Sequence, residues 1–345
     1  MRYGIKPANP AEWLALKLHK IPLPIIDTLL PIVQARALIA ANNAGVLRRL
    51  ASGGATASEL ATGLSLDEHC LSMVLRVLES MGYVQRSGAT WSLTDLGLRH
   101  FGARAAESYE AFVEYCMAQW TFVEQLDEVL RTGKGIDFHE HQTEAEWSAY
   151  QRAMFENAKG FAWFVVGNTP VPAGATSCLD LAGSHGYVGA MLCEKHPPMR
   201  STVIDRPDAL TTARPIGEQE PWGRLVSYRE GDLLTADFGT GHDVALLANI
   251  LHHFPAETKV SMLRKVREAL KPGGTVSIFE IEAPRDDQPT EAAGDGLALY
   301  FRITSTSACY RGDDYVAWLT AAGFQAARVV RSFRMPSRML IVATA

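Results

Sequence analysis

The run Cys178-Leu179-Asp180-Leu181-Ala182-Gly183-Ser184-His185-Gly186-Tyr187-Val188-Gly189-Ala190-Met191-Leu192 constrains this chain more than any other stretch. Its apolar lead-in predicts a buried strand with Asp180 near the end. Gly183, Gly186 and Gly189 then predict a turn into a helix beginning near Tyr187. A strand, tight turn and helix leave unpaired backbone N–H groups beside a sheet edge, and glycines let a ligand approach without meeting a Cβ. That arrangement suits a nucleotide-like cofactor, although the same glycine spacing also occurs in purely structural turns.

A second short apolar run, Ser201-Thr202-Val203-Ile204-Asp205, ends in an acid about 25 residues beyond Asp180. That is close to the spacing of a carboxylate that holds ribose hydroxyls. The rest of the C-terminal half alternates in the same way. Leu225–Tyr228 leads to Gly231-Asp232-Leu233-Leu234, and Asp243–Ile250 reads as a strand ending at Leu251-His252-His253-Phe254. Glu257–Leu270 reads as a helix with Val260, Leu263, Val266 and Leu270 inward, stopped by Lys271-Pro272-Gly273-Gly274. Thr275–Glu280 is the next strand, followed by an acidic, proline-containing loop over Glu282–Gly296. A helix over Tyr315–Ala322 and closing antiparallel strands around Val329-Val330 and Met339–Val342 complete the pattern. Such alternation predicts an α/β doubly wound sheet covered on both faces, with ligands at the strands' carboxyl ends.

The 345 residues exceed one domain, and 47% hydrophobic content supplies a sizeable core. A net charge of -5 with interspersed signs offers neither a nucleic-acid footprint nor a basic membrane stripe. No apolar run is read as approaching the roughly 20 residues that cross a bilayer, and no charged-then-apolar secretory order opens the chain. The expectation is therefore a cytoplasmic protein without membrane or nucleic-acid partners. Five scattered cysteines, Cys70, Cys116, Cys178, Cys193 and Cys309, lack zinc or disulfide spacing and read as buried free thiols.

The first 30 residues contain an amphipathic run, Trp13–Leu18, suited to packing on another chain. Ile32–Leu50 is helical by period. Thr56-Ala57-Ser58-Glu59 and Ser65-Leu66-Asp67-Glu68 each fit a capping box, the second opening a helix with Leu71, Val74, Leu75, Leu78 and Met81 on one face. Tyr83–Gln85, a Ser87-Gly88 turn and Thr90–Leu93 read as a two-stranded wing, so this region predicts a winged helix. Its charges between Arg48 and Arg104 nearly cancel, and its second and third helices, which would have to read DNA, offer chiefly Arg76, which favours dimerisation over DNA reading.

Glu107–Arg131 and Glu144–Gly167 carry helical apolar stripes rich in aromatics, read mainly as core with a remainder lining a pocket. Between them, His139 and His141 fall in a loop, where alternate histidines without a third ligand read as an exposed polar segment rather than a metal site.

Leu179–Gly186, Ile204-Asp205-Arg206-Pro207, Gly231–Leu234, Asn249-Ile250-Leu251-His252-His253-Phe254 and Leu270–Gly274 together resemble the S-adenosylmethionine-dependent O-methyltransferases of small aromatic and polyketide-like metabolites. The resemblance covers nearly the whole chain. It implies a class I methyltransferase domain, a Rossmann-like doubly wound sheet with an antiparallel last strand, behind an α-helical winged-helix domain that forms a homodimer. The implied boundaries are 1–105 for the dimerisation domain, 106–168 for linking helices that help form the substrate pocket, and 169–345 for the catalytic domain.

Carried over by position, the resemblance implies that Gly183, Ser184 and Gly186 lie against the methionine part of the cofactor. Asp205, with Arg206 beside it, takes the ribose hydroxyls, Asp232 and Leu233 border the adenine, and Asn249 completes the cofactor set. His252 matches the catalytic base and Glu280 the acid that orients it. Tyr150, Met154, Phe155, Leu299 and Tyr300 are implied for the pocket of a small-molecule acceptor, with no metal and with S-adenosylhomocysteine as co-product. Chemistry agrees: methyl transfer from a sulfonium needs alignment and removal of the acceptor proton, and an imidazole with an ordinary pKa of roughly 6.5 suits the second task. A structural His252-His253 pair closing the strand remains the alternative for those residues.

The chain also departs from the family pattern. Ala182-Gly183-Ser184-His185-Gly186 replaces the usual Gly-Gly-Gly-x-Gly, Tyr310 stands where a second acid is usual, and His253 and Phe254 replace an aspartate or asparagine and a tryptophan. Two other readings stay open at this point: a member that keeps the cofactor but hydroxylates, decarboxylates or runs a pericyclic reaction, and a winged-helix regulator.

Overall fold

The computed structural model describes residues 7, 9–102, 105, 107–140, 142–285, 287 and 290–345; Arg104 and His141 lie outside them. The chain divides into two compact units, one ending at Met117 and one beginning at Ala118.

In the first unit, α1 (Pro10–Lys17) and α2 (Leu23–Asn43) precede α3 (Val46–Ala51), β1 (Ala55–Thr56), α4 (Ala57–Leu64) and α5 (Glu68–Ser80). The hairpin β2 (Val84–Ser87) and β3 (Thr90–Leu93) follows, with β1 on the outer edge of β3, and then α6 (Asp95–His100). The wing thus has three strands. Thr56 and Glu59 form the expected capping box of α4. The second expected box is corrected: Ser65 ends α4 in the left-handed region (φ 57), and Asp67 caps α5 by accepting from the Cys70 N–H. Leu71, Leu75 and Leu78 of α5 pack with Leu47, Leu50, Leu60 and Trp91, each buried side chain contributing about 1.5–3 kcal/mol.

The helix α2 also corrects the membrane reading, because its 21 residues are long and apolar enough by composition to cross a bilayer. Ile25, Leu29, Leu30, Ile32 and Val33 on α2, with Trp13, Leu14 and Leu18 in and just after α1, are exposed. Cys178 and Cys193 are buried, whereas Cys70 is exposed because it lies on the solvent face of α5.

After α7 (Glu110–Val123), the expected single helix to Arg131 is interrupted at Glu124-Gln125 before α8 (Leu126–Thr132). The long α9 (Glu144–Asn168) opens on a Thr143–Glu146 capping box. Then come β4 (Ser177–Leu181), α10 (Tyr187–Lys195), β5 (Arg200–Asp205), α11 (Pro207–Gln219), β6 (Val226–Glu230) and β7 (His242–Ala248). The chain finishes with α12 (Ala256–Ala269), β8 (Leu270–Ile281), α13 (Ala292–Ile303), α14 (Gly312–Ala321), β9 (Gln325–Ser332) and β10 (Met335–Thr344). Two expectations give way here. The loop read over Glu282–Gly296 runs into α13, which already begins at Ala292 and rests on β8 and β10. On α12 the buried row is Lys259, Met262, Leu263 and Val266, while Val260 is half-buried, one position off the inward stripe.

The seven-stranded sheet has the order β6-β5-β4-β7-β8-β10-β9, with β10 antiparallel to both neighbours. Alternate residues serve opposite faces, as the two-residue period of a strand requires. Leu179, Leu181, Ala245, Leu247, Val276 and Ile278 pack toward α12 and α14. Cys178, Val244, Leu246 and Phe279 pack toward α9 and α10. The chain leaves β4 toward β5 on one side and returns to β7 on the other, so a crevice opens between the carboxyl ends of β4 and β7.

Candidate active site

A cavity of about 220 Å³ occupies that crevice. At its β4 end, Ala182 and Ser184 take φ of 53° and 55°, and Asn249, after β7, takes 53°. Side chains other than glycine seldom occupy this region, and such conformations concentrate at functional sites. Gly183 is required by close approach, since a Cβ there would sit 2.5 Å from Asp180 Cγ. Gly186 (φ 79) caps α10 and does not itself line the cavity, while Gly189 belongs to α10 and not to the turn. There its bare Cα lets the helix sit on Ser201, whose Oγ would lie 2.4 Å from an added Cβ. The Tyr187 N–H donates to His185 Nδ1, and burial pushes the His185 pKa down to about 4.

Two carboxyls dominate this half. Asp205 Oδ2 accepts the Ser184 N–H at 2.9 Å and Oδ1 accepts the Arg206 N–H at 2.8 Å, while burial pushes the group up to about 6. Asp180 is buried with Oδ2 lacking a hydrogen-bond partner among the described residues, and burial raises it to about 7. Arg206 forks onto Asp208 at 3.1 and 2.8 Å, and Asp232, Leu233 and Asn249 complete the wall on the β6–β7 side.

The other half is supplied by α9. Trp147, Tyr150, Gln151, Met154, Asn157, Ala158 and Phe161 line the cavity at helical spacing, and Gln151 accepts from Ser184 Oγ. Phe155, expected here, instead packs behind the turn against His185, Tyr187 and Trp222, because it is one residue and so about 100° around the helix from Met154. On α13 the same rotation displaces the expected residues. Leu299 is 46% exposed, and neither it nor Tyr300 lines the cavity, whereas Phe301 lies 4.2 Å from the His252 ring by centroids.

His139 does lie in a turn between helices, but the reading of it as exposed is corrected. His139 stacks on Trp147 with centroids 5.7 Å apart, meets His253 edge-on at 4.8 Å, and forms part of the cavity wall. Burial holds His139 below its usual pKa and His253 well below, so both are neutral imidazoles. His253 makes no side-chain hydrogen bond among the described residues. Neither residue was legible as a wall from spacing alone. The polar Gln151 and Asn157 within the apolar stripe of α9 were the available signal.

His252 lies beside His253, 1% exposed, with ring centroids 4.2 Å apart. Its Nδ1 is 2.7 Å from Glu280 Oε2, and Glu280 Oε1 accepts the backbone N–H groups of Ile250 (3.0 Å) and Leu251 (2.7 Å). An ionised carboxylate only accepts, so Nδ1 carries the proton and Nε2 presents a lone pair. Nε2 is buried and has no partner among the described residues. The expected pair of His252 and Glu280 is therefore adjacent in space, and it offers one unoccupied basic nitrogen.

The donor set fits a nucleoside. Asp205 retains lone pairs for a vicinal diol, and Leu233, Ile250 and Phe254 offer apolar walls to a base.

Residues 124–325 match the family model described as an O-methyltransferase domain. Over 331 residues the chain is 23% identical to the 3-hydroxy-5-methyl-1-naphthoate 3-O-methyltransferase of Streptomyces sahachiroi, covering 93% of this chain and 94% of that one. It is 27% identical over 318 residues to the 3-amino-4-hydroxybenzoate 4-O-methyltransferase of Streptomyces cremeus, covering 87% and 84%. Human N-acetylserotonin methyltransferase, solved in complex with S-adenosylmethionine, shares the fold at a TM-score of 0.83, with 18% identity and 99% of each chain covered.

Proposed function

The chain belongs to the O-methyltransferase family, and from that premise we propose that it methylates a hydroxyl of a small aromatic or polyketide-like metabolite, with His252 taking the proton. The observation that carries the base assignment is the buried His252–Glu280 pair with Nε2 unpartnered. S-adenosylmethionine, when bound, supplies an activated methyl group on a sulfonium. Asp205 would hold its ribose hydroxyls, Gly183 and Ser184 its methionine end, and Asp232 with Leu233 its adenine. His139, Trp147, Tyr150, Met154 and His253 are the acceptor wall in this reading, replacing Phe155, Leu299 and Tyr300. The two relatives act, by their names, on a hydroxynaphthoate and an aminohydroxybenzoate, acceptors of the kind such an aromatic wall would stack.

Calorimetric titration with S-adenosylmethionine, and separately with S-adenosylhomocysteine, tests the cofactor site without an acceptor. Micromolar binding of both is expected, followed by methylated product and equimolar S-adenosylhomocysteine from a panel of hydroxylated aromatics. Binding of neither overturns the proposal. Product without S-adenosylhomocysteine would transfer it to a reaction that keeps the cofactor but moves no methyl group. Asp205→Ala removes an acceptor of two charge-assisted hydrogen bonds, each worth about 1.5–3 kcal/mol, so affinity should fall about 100-fold or more. Hydroxyls donate best to the ionised carboxylate. Affinity should therefore hold above neutral pH and decline as pH drops through about 6, where Asp205 takes up a proton.

The exposed apolar side chains of α1 and α2 are assigned to a second copy of this chain. Asp27 and Arg36 place charged groups within α2 that are ill suited to a hydrocarbon core, which favours a protein partner over a bilayer and a cytoplasmic dimer over a membrane protein. Leu29→Glu with Val33→Glu, one helical turn apart, should convert dimer to monomer in sedimentation. A wild-type monomer, or wild-type protein recovered with membranes, would count against the assignment.

A further inference from the structure

Lys259 is wholly buried on α12, four residues into the helix, yet no carboxylate pairs with it among the described residues. Its ammonium donates to the Phe254 carbonyl and lies 3.9 Å from the centroid of Tyr310 and 4.9 Å from that of Trp318. Those two rings meet edge to face at 4.9 Å and form two walls of a cage. The Phe254 carbonyl also accepts from Ser307 Oγ at 2.7 Å, and Ser307 Oγ is 3.0 Å from the Tyr310 hydroxyl. Ser305 Oγ donates to the His252 carbonyl at 2.9 Å. The short turn carrying His252 and His253 is thus clamped from below at two carbonyls, and Lys259 is the one charged member of the clamp.

We propose that Lys259, seated on Tyr310 and Trp318, is a positioning residue that holds the His252–Phe254 turn and with it the orientation of the His252 imidazole against Glu280. The proposal rests on the reading of His252 as the base. It gives a role to Tyr310, the residue standing where a second acid is usual. A buried ammonium lacking a contacting carboxylate costs stability, and an apolar side chain of similar length would fill the slot more favourably. Its presence against that cost points to a positional role. Burial pulls Lys259 down to about 8, opposed by the charges of Glu280 on β8, Glu257 on α12 itself and Asp314 on α14, while the Cys309 thiol ahead of α14 is itself pushed up to about 12 by burial and stays neutral.

Lys259→Met separates positioning from packing. Melting temperature at neutral pH should stay the same or rise, and calorimetric affinity for S-adenosylmethionine should stay within about threefold. The imidazole nitrogen shifts of His252, read by NMR on the whole protein, should lose their single Nδ1–H tautomer. In the wild type the same change should appear as pH rises through about 8, because Lys259 then loses its charge, and it should vanish from the variant's titration. Turnover of a hydroxynaphthoate probe should fall about tenfold or more in kcat with little change in KM. Tyr310→Leu should move the His252 shifts in the same direction, and the double variant should be no worse than Lys259→Met alone. Wild-type His252 shifts and pH dependence in both single variants overturn the proposal, as does a fall in melting temperature that accounts for the whole loss of activity. Failure of the methyltransferase reading would show separately, as absent cofactor binding in the wild type.

Discussion

His252→Ala is expected to lower turnover by about 10²–10⁴-fold, the usual contribution of a positioned general base. Calorimetric affinity for S-adenosylmethionine should stay nearly that of the wild type, because no assigned cofactor contact passes through His252. The substitution leaves a void beside Phe301 and frees one lone pair of Glu280, so the melting temperature should fall modestly while the fold persists. The loss should be greatest with acceptors whose hydroxyl is least acidic, since those depend most on proton removal. His253→Ala is the matched control, because His253 faces the cavity beside His252. If His253→Ala abolishes turnover and His252→Ala does not, the base is His253 and the buried pair is structural.

The second large effect is expected at Glu280, and here two substitutions should differ in kind. In Glu280→Gln the amide oxygen can still accept from Ile250 and Leu251, so the turn survives. The amide nitrogen then faces His252 Nδ1 as a donor, which drives the ring proton onto Nε2 and removes the lone pair that would take the acceptor's proton. Turnover should fall by up to about 10⁴-fold, as when the orienting acid of a hydrolase triad becomes an amide. Combining it with His252→Ala should add almost nothing, because residues that act as a unit are not additive. Glu280→Ala instead strands two backbone N–H groups and one imidazole N–H in a buried site, a loss of about 3 kcal/mol or more that chemical denaturation would register. A Glu280→Gln enzyme with wild-type turnover would remove the orienting role.

Much of the fold could be read because its signals are local. Period-two and period-3.6 patterns, the Thr56–Glu59 box and the Gly183–Gly186 turn are set by neighbours in the chain, so β4, α10, β5 and the wing fell within a residue or two of where they were expected. Boundaries shifted where two local signals competed, as at Ser65 and Asp67, which both suit a cap. The site was legible to the extent that it sits at strand ends: Asp205, Asp232, Asn249, His252 and Glu280 all follow or close parallel strands of the sheet.

The rest was not a local property. Whether Phe155 or Met154 reaches the cavity depends on a 100° rotation about α9, which only the packing of α9 on α10 and α11 sets. The same holds for Tyr300 and Phe301 on α13. His139 joins the wall because Trp147 and His253 happen to meet it, although more than a hundred residues separate His139 from His253. Lys259 carries no local mark that sets it apart from an exposed helical lysine. The sequence by itself determined the strand order's raw material, the acids and the histidine available to the chemistry. Only the tertiary structure decided which nitrogen is left unpartnered and which lysine is buried, because burial and hydrogen-bond partners are made by segments far apart in the chain.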